Sequence, residues 1–171
     1  MEITTPRLTL RTAEPSDLEG IHAVLSDVAA MRWWATPPHQ TLEESEAWLT
    51  AMIANGPDHP DFIIDCAGEV IGKVGFWAPP EIGYILHPSH WGRGLASEAL
   101  TAAINHLFAH HSFDQITADV DPANDASIRL LERMGFTKTG SAERTMQVGD
   151  VWVDSLFYGL TRSAWDAQRK A

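Results

Sequence analysis

Leu8-Thr9-Leu10 alternates apolar and polar as a half-buried strand does, and Leu18, Ile21, Leu25 and Val28 then recur at the spacing of one helix face. The box Ser16-Asp17-Leu18-Glu19, in which a hydroxyl and a carboxylate satisfy two helix-end amides, predicts that helix's start. Thr41-Leu42-Glu43-Glu44 repeats the device ahead of Trp48, Leu49 and Met52, predicting a second helix over 41–54. Met31 to Pro38, carrying Trp33-Trp34 and Pro37-Pro38, reads as the loop between them.

Phe62–Cys66 and Glu69–Ala78 are rich in β-branched and aromatic residues around Ala67-Gly68, which predicts a hairpin closed off by Pro79-Pro80. Ile82–Leu86 is a further strand. His87 to Gly94 is a loop leading into a helix whose buried face is Leu95, Ala96, Ala99, Leu100, Ala103, Ile104, Leu107 and Phe108. Gln115–Val120 is the next strand, and Asn124 or Asp125 caps a helix facing inward through Ile128, Leu131 and Met134 and stopped by Gly135. From Thr137 to Leu160 the alternation resumes, turning at Val148-Gly149-Asp150-Val151. Strands with intervening helices and no repeat predict a mixed sheet in an α/β or α+β sandwich.

Composition narrows the class. A chain of 171 residues, 44% hydrophobic, with 7 Trp and 6 Phe, is long enough for one cored domain over 1–171 and is not disordered. Its net charge of −11 repels a polyphosphate backbone, so duplex nucleic acid is not an expected partner. Cys66, the one cysteine, forms no intramolecular disulfide and reads as a small apolar residue in a strand. No apolar run approaches the about 18 residues of a membrane helix, and Met1 to Arg7 lacks the pattern of a signal peptide. A soluble, cytoplasmic protein is the expectation.

The segment with chemical content is Trp91-Gly92-Arg93-Gly94-Leu95-Ala96-Ser97, at a strand-to-helix junction. Glycines there let the backbone turn tightly and present successive N–H groups at a helix N-terminus, which suits a pyrophosphate. No Gly-Lys-[Ser/Thr] follows, so it is not a Walker loop. Ser97 at the third glycine position also breaks the dinucleotide fingerprint.

From Glu81-Ile82-Gly83-Tyr84 through Gly92-Arg93-Gly94-Leu95-Ala96 to Asn124-Asp125-Ala126-Ser127 and Met134-Gly135-Phe136, the chain resembles the GNAT superfamily of acetyl-CoA-dependent N-acetyltransferases. Arg7-Leu8-Thr9-Leu10-Arg11 adds to a likeness with the group that includes the ribosomal-protein alanine N-terminal acetyltransferases. Trp91 departs from the Gln or Arg usual at the head of the family's loop. The resemblance implies a GNAT fold, a central and largely antiparallel mixed sheet flanked by helices. It also implies acetyl-CoA as cosubstrate, held at the pyrophosphate by the amides of Gly92 to Ala96, with Trp91 and Ser97 beside them, and along the pantetheine arm by Leu86, Asn124 and Ser127. A homodimer through the C-terminal strands would be in keeping with it.

Amide formation from a thioester needs an unprotonated amine, donors for the developing oxyanion and a proton for the leaving thiolate. The resemblance implies Glu81 as base, with Glu143 and Asp154 as weaker candidates, and Ser127 as acid, because the family's frequent tyrosine is here Leu131. Tyr84 reads as a core-facing strand residue, or as one that places its hydroxyl in the site. Trp33, Trp34 and Trp48 fall where the resemblance puts the acceptor channel, and read equally as a staple between two helices. The acceptor is expected to be a peptide N-terminus or a small-molecule amine. His106 and His110 are spaced i, i+4 without a third ligand, so no metal is expected. The rival readings are a non-catalytic CoA-binding module and a nucleotide-binding domain.

Overall fold

The computed structural model describes residues 1–56, 59–148 and 150–169. Eight strands form one sheet in the order β1-β2-β3-β4-β5-β6-β8-β7: β1 Glu2–Thr4, β2 Thr9–Arg11, β3 Asp61–Cys66, β4 Glu69–Ala78, β5 Glu81–Leu86, β6 Gln115–Val120, β7 Thr137–Val148 and β8 Val151–Thr161. Helices α1 Leu18–Leu25, α2 Leu42–Ala54, α3 Leu95–His110, α4 Asp125–Arg133 and α5 Arg162–Gln168 flank it. Every neighbouring pair is antiparallel except β5 and β6, which run parallel and share a single register pair, Glu81 with Thr117. The two strands therefore part soon after they begin, and the sheet is mixed and largely antiparallel, as the resemblance implies.

Both faces of the sheet are covered, which explains why β3 reads as the continuous apolar run Phe62-Ile63-Ile64 rather than as an alternation. Phe62 and Ile64 join one core with α3, α4 and Trp165 of α5, while Ile63 joins a second with α1 and α2. The same division runs along β5: Ile82 and Leu86 belong to the first core and Ile85 to the second. Cys66 is partly buried against the first core.

The expected hairpin at Ala67-Gly68 forms with both residues at positive φ, 56° and 88°, and the Gly68 N–H donates to Asp65 Oδ1 at 2.7 Å. Thr41 and Glu44 make the expected capping box on α2. Gly135 takes φ +90° just beyond α4, where its Phe136 neighbour joins the first core. Val148 pairs with Val151, as the turn between β7 and β8 requires, though Gly149 itself lies outside the described residues.

Three expectations are corrected. Ser16 does not open a box, because Pro15–Asp17 is a separate 3-10 turn; the Glu14 N–H donates to Asp17 Oδ2 at 2.7 Å. Asp17, only 3% exposed, also accepts two bonds from the Arg11 guanidinium, which raises the Arg11 pKa. Val28 is not on the face of α1, which ends at Leu25, and it is 75% exposed. The 31–38 segment is not all loop, since Ala30–Trp33 forms a 3-10 turn. No helix among the described residues is long and apolar enough to cross a membrane.

Candidate active site

The loop after β5 is built around two left-handed glycines, Gly92 at φ +70° and Gly94 at φ +76°. Gly94 is the N-cap of α3 and supplies no side chain to the helix end, whereas Thr41, Asn124 and Thr161 each accept an N–H at the starts of α2, α4 and α5. The first amides of a 16-residue helix are thus left facing the loop, with the positive end of its dipole. A Cβ on Gly92 would meet nothing within 4 Å, so the cradle is open. That is a fit for a pyrophosphate group.

The neighbouring side chains are committed to shaping the loop. Trp91, half exposed, turns its indole N–H back onto the Leu86 carbonyl at 2.8 Å, so the residue at the unusual head position ties the loop to the end of β5. A carbonyl has two lone pairs, so Leu86 keeps acceptor capacity at the strand edge. Arg93 reaches His90 Nδ1 at 3.3 Å. The Ser97 hydroxyl points to Met134 Sδ at 3.6 Å, which leaves its backbone N–H as its group toward the loop. Leu95 is 1% exposed and anchors α3 in the core, beside partly buried Ala96.

Where β5 and β6 part, titratable groups gather on both faces. Glu81 and Asp119 alternate with the core residues Ile82, Ala118 and Val120, so they lie on the sheet face opposite that core. Burial pushes the Glu81 carboxyl up and the nearby Asp119 charge pushes it further. Asp119 is also raised, by burial first, although its Oδ2 accepts from the buried Ser155 hydroxyl at 2.9 Å. On the other face Tyr84 packs against the first core and its hydroxyl donates to Ser127 Oγ at 3.0 Å. Burial pushes the Tyr84 phenol up to about 12, so it is a donor throughout the neutral range. Ser127 is oriented a second time by α4, where its N–H donates to Asn124 Oδ1 at 3.2 Å.

Of the residues the sequence singles out, the structure brings Glu81 and Tyr84 of β5 and Ser127 of α4 to the β5/β6 opening, with Tyr84 packed against the first core and its hydroxyl on Ser127. Asp119 is not among those residues; its signal was the polar pair Thr117 and Asp119 at i, i+2 between apolar residues. Asp154 is engaged elsewhere: its Oδ1 accepts the Arg144 N–H at 2.9 Å, at a bulge where Arg144 takes φ +53°. Leu131 is 1% exposed in the core. Trp34 and Trp48 are partly buried against the second core, each with the Lys73 ammonium 5.9 Å from its ring centroid, whereas Trp33 carries the Arg32 guanidinium at 4.7 Å. His106 and His110 stack on one another, and the described residues hold no group of three side chains suited to a metal ion.

Residues 7–137 match the family model described as an acetyltransferase (GNAT) domain. The uncharacterized N-acetyltransferase p20 of Bacillus licheniformis is 31% identical over 80% of this chain and 82% of its own. The spermidine N(1)-acetyltransferase of Escherichia coli (strain K12) is 26% identical over 77% of this chain and 73% of its own. Among solved structures, the ribosomal L7/L12 alpha-N-protein acetyltransferase RimL in complex with coenzyme A superposes with a TM-score of 0.85 at 23% identity, covering 96% of this chain and 99% of that one. The open parallel pair, the uncapped glycine loop and these matches have one meaning: the chain belongs to the GNAT family and is an acetyl-CoA-dependent acetyltransferase.

Proposed function

We propose that the enzyme transfers acetyl directly to the primary amine of a protein N-terminus or of a small molecule, without a metal. The observation that carries the reading is the uncapped start of α3 behind Gly92 and Gly94, next to the gap between β5 and β6. In this reading the amides of Gly92 to Ala96 hold the pyrophosphate, with Trp91, Arg93 and Ser97 around them. Leu86, Asn124 and Ser127 line the pantetheine arm. The cosubstrate supplies an acetyl thioester.

Glu81 takes a proton from the acceptor ammonium, directly or through one water, and its raised pKa makes it a stronger base than an exposed carboxylate. The neutral amine attacks the thioester carbonyl, Ser127 gives its proton to the departing sulfur as the C–S bond breaks, and the second proton shed by the nitrogen restores the Ser127 hydroxyl. Because Tyr84 donates to Ser127 Oγ, the Ser127 hydrogen is turned away from Tyr84 and is free for that role. Base and acid then stand on opposite faces of the sheet opening, so the amine arrives on one side and the sulfur is protonated on the other. The names of the spermidine and L7/L12 relatives both specify nitrogen acceptors, in line with an amine here. A chain charge of −11 favours a cationic acceptor by steering, and Trp33 offers it a partly exposed ring. A homodimer would use β7, the sheet edge, and sedimentation would detect it.

The first test is a thermal-shift comparison of acetyl-CoA, CoA, ATP and NADH, each at matched excess. Acetyl-CoA and CoA alone are expected to stabilise the protein, by about 2.7 kcal/mol at 100 times the dissociation constant. Stabilisation by ATP or NADH instead overturns the cosubstrate, and CoA binding with no turnover on any amine returns the non-catalytic module. On an active acceptor, Ser127→Ala is expected to lower kcat about 10²-fold with KM unchanged. Tyr84→Phe should have a smaller effect, and the double variant should add little to Ser127→Ala because the two hydroxyls act as one unit. Additive losses would separate Tyr84 from Ser127.

A further inference from the structure

The opening Arg7-Leu8-Thr9-Leu10-Arg11 run and the Ser97-Glu98-Ala99 run after the glycine loop are distant in sequence and meet in one set of contacts. Glu98 lies in the first turn of α3. Its Oε1 accepts from the Thr5 hydroxyl at 2.6 Å and from the Arg7 backbone N–H at 2.9 Å, while Oε2 accepts from Arg7 Nε at 2.6 Å. Arg7 Nη1 reaches past the carboxylate to the Arg93 carbonyl at 2.7 Å. Burial pushes Glu98 up, yet the bonds from Thr5 and Arg7 outweigh it and hold the carboxyl below its ordinary range. The side chain is 15% exposed, so the pair is partly shielded from solvent.

A planar guanidinium can grip a carboxylate with one edge and a carbonyl with another, which a lysine ammonium cannot do in the same fixed geometry. The carbonyl it grips belongs to the peptide between Arg93 and Gly94. In a planar trans peptide the C=O and the following N–H point in opposite directions, so turning the Arg93 carbonyl toward Arg7 aims the Gly94 N–H away from it. Gly94 then enters α3 at φ +76°, a conformation that a free loop would populate only in part. The contact also answers an electrostatic difficulty. A carboxylate in the first turn of the helix stands close to where an anion would bind, and pairing with Arg7 neutralises it.

We propose that Arg7, gripped by Glu98, is a positioning residue that presets the glycine loop for the pyrophosphate of acetyl-CoA. The proposal rests on the reading of that loop as the pyrophosphate cradle. Arg7 acts on the ligand through the Arg93 carbonyl, so its loss taxes affinity by the fraction of time the loop is out of shape.

The test is calorimetric binding of acetyl-CoA and of acetylpantetheine, which lacks the pyrophosphate, to the wild type, Arg7→Ala, Arg7→Lys and Glu98→Gln. Both Arg7→Ala and Glu98→Gln are expected to weaken acetyl-CoA about tenfold if the loop is correctly shaped about a tenth of the time, and to leave acetylpantetheine unchanged. Arg7→Lys should not restore affinity, and in turnover KM for acetyl-CoA should rise with kcat kept. Glu98→Gln decides the sign: if Arg7 served only as a charge attracting phosphate, removing its carboxylate partner would tighten binding. Tighter binding in Glu98→Gln, or acetyl-CoA affinity unchanged in Arg7→Ala, overturns the proposal and spares the cradle. So does equal weakening of both ligands in Arg7→Ala. A wild type that binds acetylpantetheine as well as acetyl-CoA overturns the cradle and the proposal together.

Discussion

Glu81→Gln is expected to lower kcat/KM for an amine acceptor by about 10²- to 10⁴-fold, the usual contribution of a positioned base, and to leave acetyl-CoA affinity intact. The carboxyl stands at the first residue of β5, on the face away from the first core, where burial and the Asp119 charge hold its pKa above the ordinary value. The base must be ionised to act, so the acid limb of the wild-type rate profile lies above the ordinary carboxylate range. Removing the like charge with Asp119→Asn moves that limb down, and Glu81→Gln removes it. Stability moves the other way. A carboxyl whose folded pKa is raised contributes fully below its unfolded pKa and loses that contribution as pH rises through the folded value. Glu81→Gln should therefore melt higher than the wild type at neutral pH, with the advantage vanishing in acid. Retention of full kcat/KM by this variant, measured with steady-state kinetics on an accepted amine, would remove Glu81 from the mechanism.

Lys73→Met is expected to destabilise the protein by about 3–5 kcal/mol, the range for breaking a buried ion pair from one side. The Lys73 ammonium, 2% exposed, donates to Asp61 Oδ2 at 2.7 Å, and the Asp61 side chain is 9% exposed with no hydrogen-bond partner for Oδ1 among the described residues. Burial pushes Asp61 up even against the pull of Lys73, so without that cation the carboxylate is stranded. The surroundings give it little room, since a Cβ on Gly75 of the neighbouring strand would come within 2.5 Å of Asp61 Cα. The deficit should shrink in acid, where Asp61 is neutral, and grow as pH rises through its raised pKa. Urea unfolding across pH reads this directly. Replacing both partners, Lys73→Met with Asp61→Leu, should recover most of the loss because no charge is left unpaired. A Lys73→Met variant as stable as the wild type at neutral pH would mean that Asp61 is already solvated or protonated there. The pair also underlies Trp34 and Trp48, so these two aromatics rest on a buried cation and not merely on apolar contact.

How legible the molecule is from its sequence depends on the range of the interaction. The spacing of Leu95, Ala99, Leu100, Ala103, Ile104 and Leu107 specifies α3 because neighbours on one helix face are three or four residues apart. Ala67-Gly68, Gly135 and the Thr41 box are equally local, and each forms as read. Where a local rule fails, a distant partner has outbid it. Ser16 is not used as a cap because Asp17, held by Arg11 from β2, takes the Glu14 N–H instead. Lys73 gave no sign of being buried, since its partner Asp61 lies on β3 and its two Trp neighbours come from a loop and from α2.

The site divides in the same way. The sequence by itself determined the strand-loop-helix unit with its two glycines, because it is written into a few consecutive residues, whereas Ser127 and Glu81 became candidates through the family resemblance. Only the tertiary structure decided that Glu81 meets Asp119 on one face, that Tyr84 bonds Ser127 on the other, and that Arg7 and Glu98 brace the glycine loop. The physical reason is that pKa shifts and side-chain hydrogen bonds depend on distance and desolvation. Those are set by strand order and helix packing, which no short window of residues contains.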